Sequence, residues 1–337
     1  MKRFFLVSQT RREFLKSSFV TLISLKSLSF LPQEEEKRKR KVNFKSVISL
    51  VRTNDRKFGV KRTIELLKIN PVKGKNVLIK PNFNSADPAP ASTHNDTLSQ
   101  LVVELRHLGA KKITVGERSG PPDTKQVMEE KGIFELAKEL NFDIINFEEL
   151  TDKEWVYFNP PGNHWSNGFY VAKPVAESEC VVSTCCLKTH QYGGVFTMSL
   201  KLSVGITPKK LMRELHTSPY MRKMIAEINL AYRPSLIVLD GVEAFVDGGP
   251  SVGTKKQTNV FLAGTDRVAV DAVAIAVLKE AGSNKEIMER KIFEQKQIAR
   301  AAELGLGVSS PQEIEIITGD EQSEQYAKKI KAILQEG

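Results

Sequence analysis

The sequence predicts an α/β fold in which a mainly parallel sheet carries helices on both faces, in Rossmann-like layers. Short buried apolar runs alternate with segments whose apolar residues recur every three or four positions. Strands that alternate with helices in this way form parallel sheets covered on both sides. The chain has 337 residues, of which 41% are hydrophobic and 27% charged. This is a globular composition with enough chain to bury a large core.

Proline, glycine and the spacing of apolar residues predict the limits of the strands and helices in the N-terminal half. An Asn-Pro step at Pro71 ends the first helix, because the residue before proline avoids helical backbone. From Leu98, apolar residues at i, i+3, i+4, i+7 and i+10 form one helix face, and Gly109 ends that helix. Gly132 interrupts the third helical segment. Strands are predicted at 46–52, 77–80, 111–117 and 142–147, and helices at 58–69, 98–108 and 124–140.

The C-terminal half continues the alternation after an unusual segment. Residues 151–173 mix aromatic side chains with proline and glycine, which predicts a β-rich insertion that packs as core or lid. Stacking on single-stranded nucleic acid is the weaker alternative, since no basic residues are interleaved. A long, mostly helical connection is expected at 195–232. Further strands are predicted at 180–184, 236–240, 260–264 and 314–318, and helices at 268–278, 285–304 and 321–334.

The positive charge of the chain is concentrated at its start. The net charge is +10, with 50 basic and 40 acidic residues. Residues 1–41 hold eleven basic and four acidic side chains, a net +7, which leaves +3 for the rest. A nearly balanced body gives no motive for nucleic-acid binding, so nucleic acid is not a predicted partner.

The N-terminal segment Thr10-Arg11-Arg12-Glu13-Phe14-Leu15-Lys16 resembles a twin-arginine export signal. This implies export through the twin-arginine translocation machinery to the periplasm or cell envelope. A basic amphipathic helix is the alternative. Lys26 interrupts the apolar region and no A-x-A site follows, so an uncleaved leader could tether the protein to a membrane. The predicted organisation is a signal at 1–31, a charged linker at 32–44, an α/β domain at 45–319 and a C-terminal helix at 320–337.

The sequence lacks the motifs of several common cofactor-binding and catalytic sites. The three cysteines, Cys180, Cys185 and Cys186, include no C-x-x-C pair, so no iron–sulfur cluster is expected from this chain. They are interpreted as structural, although one thiol of the adjacent pair could lie near a site. G-x-x-x-x-G-K-[ST], G-x-G-x-x-G and G-x-S-x-G are also missing from the sequence.

Polar residues and glycines follow five of the predicted strands. Ligands of open α/β sheets bind beyond the carboxyl ends of the strands, so these positions predict a site. Asp271 and Lys201 stand out further, because each is surrounded in sequence by apolar residues, and a buried charge requires a partner or a shifted pKa. The strand-end residues are Lys80 and Asn82, 117–120, Lys188 and His190, Asp240 with Gly248 and Gly249, and Asp266.

Five segments carry a resemblance to a known family. They are Val77-Leu78-Ile79-Lys80-Pro81-Asn82, Leu187-Lys188-Thr189-His190, Ser199-Leu200-Lys201, Gly248-Gly249-Pro250 and 263–271. In this order they resemble the domain of unknown function 362 family over about 45–305. The resemblance implies an α/β domain, often exported or attached to a ferredoxin-type iron–sulfur module, and no settled activity. This chain lacks that module and has Ser203 where the family has asparagine.

Together these residues predict a protein that binds, and could transform, a small anionic ligand. Lys80, Lys188 and Lys201 would hold a carboxylate or phosphate, and His190 would be the acid/base, because its ordinary pKa suits proton transfer. The aspartates would orient the lysines or bind a cation, and the glycines would let backbone approach the ligand. The predicted catalytic set is His190, Lys188, Lys201 and Asp271, and the ligand-binding set is Lys80, Asn82, Asp240, Gly248, Gly249 and Asp266.

Two other function classes stay open at this stage. The first is an envelope protein associated with a divalent metal or a redox partner protein, with His190, the three aspartates and Cys185 as candidate ligands. The second is a non-catalytic binding module. A second similarity, in the order strand, Lys80-Pro81-Asn82, Thr93-His94, helix and Gly109-Ala110, is to the N-terminal domain of lactate-racemase-type proteins, and it favours a 2-hydroxy-acid-like anion.

Overall fold

A nine-stranded sheet organises residues 45–337, the part of the chain that the computed structural model describes. Two further strands form a separate hairpin. In chain order the strands are β1 (Ser46–Arg52), β2 (Asn76–Lys80), β3 (Lys112–Glu117), β4 (Asp143–Asn146), β5 (Trp155–Phe158), β6 (Phe169–Ala172), β7 (Cys180–His190), β8 (Val195–Thr197), β9 (Pro234–Gly248), β10 (Gly253–Gly264) and β11 (Ile314–Ile317). The predicted signal at 1–31, with Arg11 and Arg12, and the linker at 32–44 lie outside the described residues.

The strand order is β11-β1-β10-β9-β7-β2-β3-β4, and the short β8 pairs with β7. The run β9-β7-β2-β3-β4 is parallel throughout. Two strands are exceptions: β10 runs antiparallel to both β9 and β1, and the short β8 runs antiparallel to β7. The predicted class, an α/β fold with a mostly parallel sheet, is confirmed.

Helices cover both faces of this sheet. α1 to α4 pack on one face over apolar residues of β2, β3, β7 and β10. α8, α10 and α11 pack on the other face, so the C-terminal helix shares the core with the long α8. The helices are α1 (Arg56–Leu67), α2 (Asn95–His107), α3 (Thr124–Glu130), α4 (Ile133–Leu140), α5 (Lys173–Ala176), α6 (Met212–Thr217), α7 (Met221–Ile228), α8 (Arg267–Glu280), α9 (Lys285–Glu289), α10 (Lys296–Glu303) and α11 (Glu321–Glu336).

The aromatic insertion is an antiparallel hairpin of β5 and β6, as the sequence predicted. Trp165 and Phe169 are buried in a cluster with residues of α7. Buried Glu227 of α7 ties the connecting loop down: its Oε1 lies 2.6 Å from His164 Nδ1 and accepts a hydrogen bond of 3.0 Å from Arg300 Nε. The insertion is therefore a fixed part of the core.

Several regions differ from the prediction. The strands predicted at 236–240 and 260–264 are the longer β9 and β10, and the helix predicted at 285–304 is divided into α9 and α10. β7 continues through Lys188, Thr189 and His190, because β8 and β9 supply partners for their backbone groups on either side. The connection expected to be mostly helical instead holds β8, a 3₁₀ segment at Lys201–Ile206, and only two short helices, α6 and α7. Glycine and proline at Gly205, Pro208 and Pro219 break the helical pattern there.

Within residues 45–337, no helix combines the length and the apolar character that a membrane crossing requires.

Candidate functional site

A cavity of about 690 Å³ lies at the carboxyl ends of β2, β3 and β7. Lys80 is the last residue of β2 and Glu117 is the last residue of β3. Lys188 and His190 are among the last three residues of β7. The 3₁₀ segment Lys201–Ile206 closes the inner wall. The pocket therefore occupies the edge of the sheet where ligands of α/β folds bind.

The rim consists of two loops. One follows β7 and carries exposed Tyr192, and the other is the tip of the β9–β10 hairpin, which brings Ser251 into the lining. Thr189 Oγ1 holds that tip by donating 3.1 Å to the Gly248 carbonyl. Gly249 packs directly on β7, with φ +72° and so little room that a Cβ would lie 2.1 Å from the Thr189 carbonyl oxygen. The predicted glycines thus position the rim, and neighbouring residues line the cavity.

Lys80 and Glu117 form a buried ion pair at the base of the pocket. Lys80 Nζ also donates 2.7 Å to the Pro81 carbonyl, and Glu117 Oε2 accepts 2.7 Å from the Phe83 amide. Burial lowers the pKa of Lys80, and the Glu117 carboxylate opposes that shift. Gly205 covers the pair: a Cβ there would be 2.7 Å from Glu117 Oε1 and 2.8 Å from Lys80 Nζ.

Arg118 adds a second buried cation beside this pair. Its Nε donates 2.9 Å to the Thr207 carbonyl and its Nη1 donates 2.9 Å to the Ser119 carbonyl. Burial lowers the pKa of Arg118 to about 10, so it stays charged at neutral pH. Because these acceptors are neutral carbonyls, its charge remains available to a ligand.

Lys188 is fully buried, with an exposed fraction of 0%. Its Nζ donates to the Ala91 carbonyl and, over 3.3 Å, to the Pro250 carbonyl. Within the described part of the chain no carboxylate pairs with it. Burial lowers the pKa of Lys188 to about 8, so most molecules still carry this charge at neutral pH.

Lys201 and His190 meet on either side of Gly194. A Cβ on Gly194 would lie 2.9 Å from Lys201 Cε and 3.0 Å from His190 Nδ1. Burial and the positive charges of Lys188 and Arg118 lower the pKa of Lys201 to about 7. Burial, with Lys201 and Lys188 nearby, lowers the pKa of His190 to about 2. The imidazole is therefore neutral at neutral pH.

Three buried polar atoms of the pocket lining have no hydrogen-bond partner among residues 45–337. They belong to Asn82 (Oδ1), His190 (Nδ1) and Thr197 (Oγ1). Buried polar atoms are usually paired, and an unpaired one costs about 1–3 kcal/mol. All three atoms lie around the one cavity.

The three predicted aspartates lie outside this lining. Asp240 accepts hydrogen bonds from Arg56 Nε at 2.9 Å and Thr97 Oγ1 at 2.6 Å on the α1–α2 face. Asp266 caps α8 by accepting from the amides of Val268 and Ala269. Each has a structural role with partners of its own, away from the lysines that the sequence predicted it would orient.

Asp271 lies outside the lining but holds the backbone that carries Lys201. It is fully buried and accepts 2.7 Å from the Ser199 amide and 2.9 Å from the Leu200 amide. Burial raises the pKa of Asp271 to about 7, and the two amide hydrogen bonds oppose that shift. It therefore fixes the backbone immediately before Lys201.

The described residues hold no group of three or more His, Cys, Asp or Glu side chains arranged to bind a metal ion. His190 lies in the pocket, while Asp240, Asp266 and Asp271 bind separate partners. Burial raises the pKa of Cys185 well above its ordinary value, which disfavours the thiolate that a metal requires. The candidate metal ligands named from the sequence are thus dispersed.

The predicted sets leave out several lining residues, and three of them are the ionisable side chains Glu117, Arg118 and His216. Glu117 and Arg118 directly follow a predicted strand, so their position carried a usable signal. His216 carries no such signal, yet it lines the cavity from α6. The tertiary packing of α6 against α7 brings it there, and nothing in the local sequence indicates this.

Comparison with known proteins gives three findings. A domain of unknown function (DUF362) matches residues 77–276, which is more than half of the chain and includes every residue of the pocket lining. The "Thylakoid-associated protein sll1697" of Synechocystis sp. (strain ATCC 27184 / PCC 6803 / Kazusa) is 24% identical over 215 residues, which cover 61% of this chain and 64% of that protein. The lactate racemase apoprotein from Thermoanaerobacterium thermosaccharolyticum aligns over 86% of each chain with a TM-score of 0.45 and 13% identity.

Proposed function

The chain belongs to the DUF362 family, and on that premise we propose that its strand-end pocket binds a small anion, a carboxylate or a phosphate ester. One observation carries the proposal: Lys80, Arg118, Lys188 and Lys201 all line the cavity, and Glu117 is the acidic side chain that faces them among the described lining residues. The cations outnumber the anion in a buried space. A negatively charged ligand balances this excess.

The energetics favour the same conclusion. An isolated buried charge costs several kcal/mol unless it is paired or neutralised. Lys188 is fully buried and is held by neutral carbonyls. Attraction between unit charges 4 Å apart is about 4 kcal/mol at an effective dielectric constant of 20. An anion beside Lys188 would therefore recover much of what its burial costs the free protein.

The unpaired polar atoms of the lining restrict the chemical class of the ligand further. Asn82 Oδ1 accepts hydrogen bonds, and Thr197 Oγ1 both donates and accepts. A ligand that carries a hydroxyl or carbonyl group next to its anionic group would use the lysines and these atoms together. A short hydroxy acid, keto acid or sugar phosphate has that combination, and the cavity of about 690 Å³ holds molecules of this size.

Calorimetric titration of the full chain tests the proposal. The panel contains inorganic phosphate, sulfate, short hydroxy and keto acids, and small phosphate esters. We expect at least one to bind, with a loss of tenfold or more in affinity in Lys188→Met. Lys285→Met is the control, because Lys285 is exposed on α9 and outside the cavity. Failure of every compound to bind, or equal binding by both variants, would overturn the proposal.

We also propose that the protein is exported by the twin-arginine route and acts in the periplasm or cell envelope. The support is the resemblance of residues 10–16 to that signal. A reporter fused after residue 44 should be exported, and the double change Arg11→Lys with Arg12→Lys should abolish export. Elemental analysis of the exported protein tests the metal alternative, which less than a tenth of an equivalent of bound metal would exclude.

A further inference from the structure

The three buried lysines of the pocket differ in the hydrogen-bond partners of their amines. Lys80 Nζ donates to the Glu117 carboxylate and the Pro81 carbonyl, and Lys188 Nζ donates to two carbonyls. Lys201 Nζ has no acceptor within hydrogen-bond distance in the range 45–337, although only 8% of the residue is exposed. Lys201 therefore presents a free amine to the cavity.

The backbone that carries this amine is firmly held. Asp271 accepts the amides of Ser199 and Leu200, and the Leu200 carbonyl accepts 2.8 Å from Ser203 Oγ and 3.0 Å from Asn229 Nδ2. A lysine on a fixed backbone reaches into the pocket at a defined place. Such placement is what a reacting group needs, because an error of 1 Å costs orders of magnitude in rate.

The surroundings also make the amine reactive. A protonated ammonium has no lone pair, so a nucleophilic lysine must lose its proton near neutral pH. Burial and the charges of Lys188 and Arg118 lower the pKa of Lys201 to about 7. About half of the molecules then carry a neutral Lys201 amine at pH 7. The same two cations would hold the anionic group of a ligand beside it.

We propose that Lys201 Nζ attacks the carbonyl carbon of an anionic aldehyde or keto acid bound in the pocket and forms an imine. This inference rests on the anion-binding function proposed above and names its substrate class. The carboxylate or phosphate of the ligand lies against Lys188 and Arg118. Its carbonyl group faces Lys201, with His190 on the other side of Gly194.

The bond changes balance without an external oxidant or reductant. The nitrogen lone pair forms the N–C bond while the carbonyl π electrons move to oxygen. His190, which lines the cavity and approaches Gly194 together with Lys201, relays a proton from nitrogen to that oxygen, which gives a carbinolamine. The nitrogen lone pair then forms the C=N bond as the C–O bond breaks, and the oxygen leaves as water with the two hydrogens that the amine supplied.

Reductive trapping with sodium borohydride tests the inference. The full chain is incubated with pyruvate, glyoxylate or glycolaldehyde phosphate, reduced, and analysed by intact mass and peptide mapping. We expect a stable adduct on Lys201 whose mass is that of the ligand less one oxygen atom. Acetone serves as the uncharged probe and should label at least tenfold less. The carboxylate and phosphate arms together show which anionic group the pocket prefers.

The control variants separate Lys201 from other lysines. Lys201→Arg should lose the adduct, and Lys209→Arg should keep it, because Lys209 also lines the cavity but is paired with Glu148. Unchanged thermal unfolding of Lys201→Arg shows that the loss is chemical. If anions bind but none of the three probes labels Lys201, the imine is refuted while the binding function stands. If no anion binds, both proposals are refuted.

Discussion

Lys80 and Glu117 form an ion pair that joins the carboxyl ends of two adjacent parallel strands, and both side chains are buried. A second pair, Lys112 with Asp143 at 2.6 Å, joins β3 to the neighbouring β4. Its side chains are 60% and 58% exposed. The protein thus offers a buried and an exposed ion pair between neighbouring strands for direct comparison.

Glu117→Gln should destabilise the fold far more than Asp143→Asn. Removal of one partner of a buried pair leaves an uncompensated charge and costs about 3–5 kcal/mol, whereas an exposed pair contributes less than about 1 kcal/mol. Urea denaturation of each variant measures the free energy of unfolding. Similar losses in the two variants would mean that Lys80 does not depend on Glu117 as its counterion.

Gly249→Ala should cost more than Gly162→Ala, although both glycines have φ +72°. The left-handed backbone alone costs about 1–2 kcal/mol for alanine. A Cβ at Gly162 meets nothing within 4 Å, whereas one at Gly249 would lie 2.1 Å from the Thr189 carbonyl oxygen. Gly249→Ala must therefore push the hairpin tip away from β7.

Two measurements check this difference. Thermal unfolding should show the larger loss in Gly249→Ala, and calorimetry should show weaker anion binding in that variant alone, since Pro250 and Ser251 line the cavity. Equal anion affinity in both variants would indicate that the hairpin tip does not help to form the pocket.

Local signals in the sequence were sufficient for the class of fold and for most elements. Apolar runs and stop residues placed β1 to β4 and α1 to α4 within a few residues of their observed limits. Lys80, Lys188 and His190 lie at the ends of parallel strands, and the rule that ligands bind at the carboxyl ends of such strands placed them at one edge. Lys201 was identified by a different signal, a charge among apolar neighbours in the sequence. The structure brings these residues into one cavity.

The rule that ligands bind at the carboxyl ends of parallel strands fails for Asp266. It follows β10 in the chain, as Lys80 follows β2, but β10 runs antiparallel to its neighbours. The carboxyl end of β10 therefore lies at the opposite edge of the sheet, where Asp266 accepts a hydrogen bond from Ser46 at the start of β1. Strand direction depends on long-range pairing, and the local pattern of residues does not contain it.

The positions of Asp240 and His216 could not be predicted from the local sequence either. β9 continues eight residues past Asp240, so this side chain lies within the strand and packs on the α1–α2 face. His216 enters the lining because α6 packs against α7, which places its side chain at the cavity. Both outcomes are set by tertiary contacts that override the local pattern.

Asp271→Asn and Asp266→Asn should separate support of the pocket from stability alone. Each aspartate accepts backbone amides, and an asparagine keeps only one acceptor oxygen. Each variant should lose about 1–3 kcal/mol in the free energy of unfolding. Only Asp271→Asn should also weaken anion binding, because Asp271 holds the backbone before Lys201. Equal binding by both variants would contradict this supporting role.

The free energy of unfolding should rise between pH 7 and pH 9 because of Lys201 and Lys188. In the unfolded chain a lysine keeps its proton up to about pH 10.4. In the folded chain burial lowers the pKa of Lys201 to about 7 and that of Lys188 to about 8. Over this window the unfolded state binds more protons than the folded state, so stability increases with pH, by at most about 1.4 kcal/mol per pH unit for each group.

Lys201→Met isolates the contribution of one group. It removes the burial of an amine without a protein acceptor, so it should raise stability at pH 7 and flatten the rise toward pH 9 by about 2 kcal/mol. Asp271, whose pKa burial raises to about 7, and Cys185 and Cys186, whose pKa values burial also raises, add dependences of opposite sign. The variant and the parent share these groups, so the difference between the two slopes reports Lys201. Urea denaturation at pH 7, 8 and 9 measures both slopes. Parallel slopes for the variant and the parent would show that Lys201 keeps an ordinary pKa, and its amine would then be protonated at neutral pH and unable to act as a nucleophile.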